Sequence, residues 1–123
     1  MRGYYRLLLT VFAAAAAVPG AVAGDMEPAE NGERLYAMLC VQCHGSNGDG
    51  RGVNATHMSV QPRSHIDRGE MMARTDEDLF KVIQEGGSSI NKSVLMPAWG
   101  GNLDSEQVAS LVAYLRVLCC EGN

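Results

Sequence analysis

Residues 40–44 read Cys40-Val41-Gln42-Cys43-His44: two thiols three positions apart, with an imidazole directly behind the second. On a helical turn, positions i, i+3 and i+4 lie on one face, so all three side chains can meet a single flat partner. The pattern is C-x-x-C-H, the attachment signature of c-type haem. Its cysteines add across the two vinyl groups of the macrocycle, and its histidine nitrogen takes the iron. Other uses of the same cysteines fit less well. A thioredoxin-type C-x-x-C needs a strand in front of it, and nothing upstream of Cys40 alternates like a strand. A zinc site needs a second ligand pair, and none of suitable spacing follows. A plain disulfide between Cys40 and Cys43 leaves the adjoining His44 unexplained.

Helical patterns lie on both sides of the motif. Upstream, Leu35, Met38 and Leu39, with Tyr36 beside them, mark one face of a helix that begins near Glu30–Asn31 and runs into Cys40. Downstream, Thr75 is a good N-cap for the run TDEDLFKVIQEGG, with Asp78 as a weaker capping-box partner and Gly86-Gly87 as the stop. Asp104 caps a third helix with Gln107 at its N3 position. Val108, Leu111, Val112, Leu115 and Leu118 give that helix an amphipathic stripe. No segment alternates like a strand of useful length, so the expected fold class is all-α, with long loops at 45–74 and 86–103. Loops of that length are unusual in a small domain unless they wrap something that is not protein.

The chain has 123 residues, 46% hydrophobic and 20% charged, which suits one small domain and argues against a disordered tail. Residues 1–23 carry a different message. Arg2 and Arg6 precede the apolar run Leu7 to Val18, Pro19 and Gly20 break it, and Ala21-Val22-Ala23 is an A-x-A cleavage site. This is the layout of a secretory signal peptide. The apolar run falls short of the roughly 18 residues a spanning helix needs; an uncleaved anchor is the alternative reading. Cleavage is expected to leave residues 24–123 as the mature domain, outside the cytoplasm and most simply in the periplasm, with no stable membrane insertion. The formal net charge of −4 then becomes −6, with 8 basic against 14 acidic residues. An acidic chain with scattered basic residues argues against a nucleic-acid partner.

A haem held by His44 needs a sixth iron ligand if its metal is to be closed. Met26, Met38, Met58, Met71, Met72, Met96, His57 and His65 are the candidates. Met96 is the choice, because Pro97 stiffens the loop Leu95-Met96-Pro97-Ala98-Trp99-Gly100 and fixes its direction. Met71 and Met72 read as flexible packing material, and His57 and His65 as solvated loop residues.

With these residues in view, the chain resembles the monohaem class I c-type cytochromes, small electron carriers of respiratory chains. The resemblance covers nearly all of residues 29–118 and is most specific at CVQCHG (40–45) and LMPAWGG (95–101). It implies a haem-wrapped fold in which the first and last helices cross, here through Gly32 and Tyr36 against Leu111 and Tyr114. It implies one covalent haem c on Cys40 and Cys43, with His44 and Met96 as metal ligands. It implies that the glycine-rich loop 45–52 turns beneath the haem, that the carbonyl of Val53 accepts the second nitrogen of His44, and that Arg63 and Trp99 contact haem propionates. Cys119 and Cys120 depart from the family pattern; free thiols, a disulfide-linked dimer through one of them, or a bridge between the two neighbours, which strains the peptide link, are the alternatives.

The implied function is one-electron transfer between redox proteins outside the cytoplasm, with no bond chemistry on a substrate. The acidic balance predicts a partner with a basic docking patch. Two alternatives stand beside it: a haem-bearing subunit of a larger oxidoreductase, and a haem c peroxidase or gas-sensor domain, which requires Met96 to be absent from the iron or labile.

Overall fold

Pro28 opens the first helix rather than ending a loop, because a residue in the first turn needs no N–H partner and a fixed φ suits it. In the computed structural model, which describes residues 26–121, helix α1 therefore runs Pro28–Leu39, starting earlier than the spacing of apolar residues predicts. The expected export signal, residues 1–23, lies outside the described residues. Cys40 breaks the helix, and a single turn, α2 (Val41–His44), follows. The backbone N–H of His44 still donates to the Cys40 carbonyl at 2.9 Å, so the motif keeps helical spacing across the break.

The two other expected helices are present with their caps. In α4 (Asp76–Glu85), Thr75 and Asp78 exchange both hydrogen bonds of a capping box; in α5 (Ser105–Arg116), Asp104 and Gln107 do the same. The long loops are more structured than the sequence predicts. The first holds a 3-10 turn at Ala55–His57 and the short helix α3 (Arg68–Met72), capped by the Asp67 side chain; the second holds a 3-10 turn at Gly87–Ile90. Elements this short bury too few residues to leave a periodic signal. Among the described residues there is no strand, and no helix is long and apolar enough to cross a membrane.

The core forms where α1 crosses α5. Leu35 and Tyr36 from α1 pack with Val108, Leu111, Val112 and Leu115 from α5, and Met71, Leu79 and Ile83 close the cluster from α3 and α4. Gly32 sits at the crossing, where a Cβ would collide with the backbone carbonyl of Ser110 and come within 2.8 Å of Tyr114 Cβ. The missing side chain is what lets the two backbones approach. Asn31 Nδ2 donates to Ser110 Oγ at 3.2 Å beside it, and the rings of Tyr36 and Tyr114 meet edge to face at 5.3 Å. The crossed arrangement of first and last helices is thus present, on the residues expected.

Beyond Arg116, α5 loosens into a wider turn over Val117–Glu121, so the stripe residue Leu118 lies past the regular helix. Cys119 and Cys120 are joined to each other by a disulfide in that turn. Of the alternatives, the structure has the bridge between neighbours in place of free thiols, and both sulfurs are used within the chain. Arg116 anchors the same end: its guanidinium donates to the carbonyls of Met71 (2.8 Å) and Arg74 (2.7 Å) and pairs with Asp76.

Gly32→Ala raises helix propensity but forces a methyl group into backbone. Overpacking of this kind costs about 1–3 kcal/mol, so equilibrium denaturation should show a clear loss of stability at that site, while Ala substitution at exposed Glu33 should change little.

Candidate haem site

Cys40, Cys43 and His44 line one cavity of about 630 Å³, enclosed between α1, α4, α5 and the two long loops. Its walls include Leu79, Ile83, Leu111 and Leu115 from the core, so the space is largely apolar. The two thiols are free and are not bonded to each other. Burial, reinforced by the neighbouring Cys43, pushes the Cys40 thiol up to about 12, so it stays protonated.

The orientation of His44 is set by the loops around it. Gly50 N–H donates to the His44 carbonyl (2.8 Å), Gly52 N–H to Cys43 (3.0 Å) and Asn54 N–H to Gln42 (2.9 Å), which folds the glycine-rich loop back onto α2. Gly48, at φ 72°, in turn accepts the His65 N–H at 2.6 Å, and a Cβ on Gly50 would sit 2.7 Å from the Pro62 carbonyl. The segment 62–65 is thereby pressed against the loop, and the Arg63 carbonyl accepts a hydrogen bond from His44 Nδ1 at 2.9 Å. This corrects the expected acceptor: Val53 points to solvent, 73% exposed, and Arg63 supplies the carbonyl. A carbonyl can only accept, so Nδ1 carries the proton. Burial outweighs the Arg63 hydrogen bond and lowers the His44 pKa, keeping the ring neutral with its lone pair on Nε2.

Of the sixth-ligand candidates, Met58, Met71, Met96 and His65 line the cavity; Met26, Met38, Met72 and His57 are exposed and do not. Met71 is fully buried in the core cluster. Met96 is held by backbone: Gly87 N–H donates to its carbonyl at 3.0 Å, and Trp99 and Gly100 donate to the last carbonyls of α4 at 3.0 Å each. Gly86, at φ 82°, permits this closeness, since a Cβ there would lie 2.9 Å from the Met96 carbonyl. Trp99 and Arg63 both line the cavity, and there the Arg63 guanidinium pairs with Glu70, which Arg74 approaches as well.

His65 is not the solvated loop residue expected. Its ring stacks on His44 with centroids 4.2 Å apart and planes 19° from parallel, and its Nδ1 shares a 3.0 Å hydrogen bond with the Tyr36 hydroxyl. Sequence spacing carries no hint of this pairing, because 20 residues of loop lie between the two histidines. Burial, then the nearby His44 and Arg63, pull the His65 pKa down to about 3.

The donor set fits a c-type haem. Two unpaired thiols at the required spacing, a neutral imidazole with a free lone pair and a thioether share one apolar chamber large enough for a macrocycle.

Comparison with known proteins agrees. Residues 27–115 match the family model described as cytochrome C oxidase, cbb3-type, subunit III. The Cbb3-type cytochrome c oxidase subunit FixP of Azorhizobium caulinodans is 26% identical over 99 residues, covering 80% of this chain. The chain spans only 30% of that relative's length. Among solved structures, the reducing HAO-like protein complex of Kuenenia stuttgartiensis aligns with TM-score 0.60 at 28% identity, over 73% of this chain and 42% of that one. The KustC0563 c-type cytochrome aligns with TM-score 0.58 at 25% identity, over 72% of this chain and 96% of that one.

The His65 shift has a consequence for stability. Between pH 6.5 and about 3 the unfolded chain takes up a proton that the folded His65 refuses, so acidification through this window favours unfolding. Replacing His65 by Phe should flatten the fall of melting temperature with decreasing pH over that range, relative to the parent protein.

Proposed function

Since the chain belongs to the family of cytochrome c oxidase, cbb3-type, subunit III, a family of haem c-binding electron-transfer domains, we propose that it carries one electron at a time on a single haem, with His44 and Met96 as axial ligands. The observation that carries this reading is the meeting of Cys40, Cys43, His44 and Met96 in one apolar cavity. A single C-x-x-C-H in the sequence supports one haem on this chain. Haem, when bound, supplies an Fe(III)/Fe(II) couple whose potential depends on ligands, burial and nearby hydrogen bonds.

The chain's own residues do the rest. Cys40 and Cys43 would tether the macrocycle through thioethers beside α2. His44, held at Nδ1 by Arg63, presents Nε2 toward the group it would bind. The soft Met96 sulfur would favour the reduced metal and raise the potential. Leu79, Ile83, Leu111 and Leu115 line the chamber and exclude water from it. With His44 and Met96 both bound, the metal would be closed to substrates.

The place of work follows from the leader-like residues 1–23: export to the periplasm, with an acidic mature chain that meets basic patches on its redox partners through salt-sensitive contacts. A second reading, a haem-bearing subunit of a larger oxidoreductase, is favoured by FixP, an oxidase subunit of which this chain matches less than a third. Gel filtration of native extract separates the two: elution near the size of the isolated chain supports the shuttle, elution in a large complex the subunit.

The mass of the purified protein should exceed that of the polypeptide by one haem, and C40S/C43S should abolish the gain. The reduced spectrum should be low-spin and unchanged by carbon monoxide. Met96→Ala should convert it to a form that binds carbon monoxide, with a lower midpoint potential. A parent protein that already binds carbon monoxide would overturn the closed-site reading in favour of a peroxidase or gas sensor.

A further inference from the structure

The hydrogen bond from His44 Nδ1 to the Arg63 carbonyl restrains the turn of the ring about its Cβ–Cγ bond from one edge only. A hydrogen bond tolerates about 30° of misalignment, so a residual rotation of the ring plane is compatible with it. Something must oppose that rotation if the ring is to hold one plane, and the face of the His44 ring is where opposition is effective. The His65 ring lies on that face, 4.2 Å away and 19° from parallel.

His65 is itself held at backbone and ring. Its backbone N–H donates to the Gly48 carbonyl at 2.6 Å, and its ring Nδ1 shares a hydrogen bond with the Tyr36 hydroxyl at 3.0 Å. Tyr36 is 2% exposed and packs edge-on against both His65 (5.7 Å) and Tyr114 (5.3 Å). A continuous line of contacts thus runs from the α1–α5 crossing through Tyr36 and His65 to His44. We propose that His65 is a positioning residue, which, anchored by Tyr36, sets the rotational angle of the His44 imidazole and so couples the helix crossing to the electronic state of the metal. The inference rests on His44 being an axial ligand. It gives the Tyr36 hydroxyl a role that packing does not require, since a phenylalanine ring would fill the same space.

Three variants of the haem-loaded protein test this. H65F keeps a flat ring over His44 but loses the hydrogen bond, H65L loses the ring, and Y36F loses only the hydroxyl. The readouts are the g values of the ferric low-spin signal in electron paramagnetic resonance, which follow the plane of the axial imidazole, and the midpoint potential. H65L is expected to shift both. Y36F and H65F should shift them less and in the same direction, and the Y36F/H65F double variant should move no further than either single one. Parent-like g values and potential in H65L and Y36F, whatever happens to their melting temperatures, would reduce His65 to a packing residue and overturn the proposal. Should H65L fail to fold, the Y36F and H65F pair decides by the same criterion. A parent spectrum that survives His44→Ala would overturn the ligand assignment beneath the proposal. A spectrum lost in His44→Ala but indifferent to the other variants would overturn only the role of His65.

Discussion

The close approach of α1 to α5 at Gly32 governs the rest of the molecule. Only a residue without a Cβ can lie against the Ser110 carbonyl, and the distance this sets decides where Tyr36 and Leu35 meet the apolar stripe of α5. One turn further along α1 the chain reaches Cys40, so the same crossing also decides where C-x-x-C-H faces. In so small a domain the hydrophobic cluster is modest, and one misplaced backbone contact would propagate directly into the cavity wall, because Leu111 and Leu115 serve both the crossing and the chamber.

The two long loops are organised less by each other than by the ends of helices. The first folds onto α2 through its glycine amides and hands the Arg63 carbonyl to His44. The second closes onto the C-terminus of α4, whose last carbonyls accept the Trp99 and Gly100 amides. Helix termini leave such carbonyls without partners, and here the loop bearing Met96 satisfies them. The proposed ligands thus sit on segments with many backbone hydrogen bonds, although both lie outside long helices. A group bound between them would join the turn bearing His44 to the loop bearing Met96 across the cavity.

The elements that could be read from residue order were those with local causes. The caps at Thr75 and Asp104, the stripe of α5 and the C-x-x-C-H spacing each depend on residues within a turn or two of one another, and each is where the sequence puts it. The aromatic and glycine positions of the crossing were legible too, through resemblance. What escaped were features that depend on the course of the loops through space. Val53 and Arg63 both carry a carbonyl, and nothing local says which will pass beside His44; Gly48 and Gly50 decide it by drawing segment 62–65 inward. For the same reason His65, polar and surrounded by polar neighbours, read as solvated. The first helix starts at Pro28, ahead of Glu30–Asn31, because a proline in the first turn leaves no mark in the apolar spacing. The terminal cysteines stand out in the sequence as neighbours, but their mutual bond depends on a turn that no periodicity announces.

That terminal bond has a meaning beyond its geometry. A bridge between neighbours in sequence closes almost no loop, so it restrains the unfolded chain very little and adds little stability by that route. Its consequence is for the inventory of sulfurs. With Cys119 and Cys120 joined to each other, Cys40 and Cys43 are the two free thiols among the described residues, and both face the cavity.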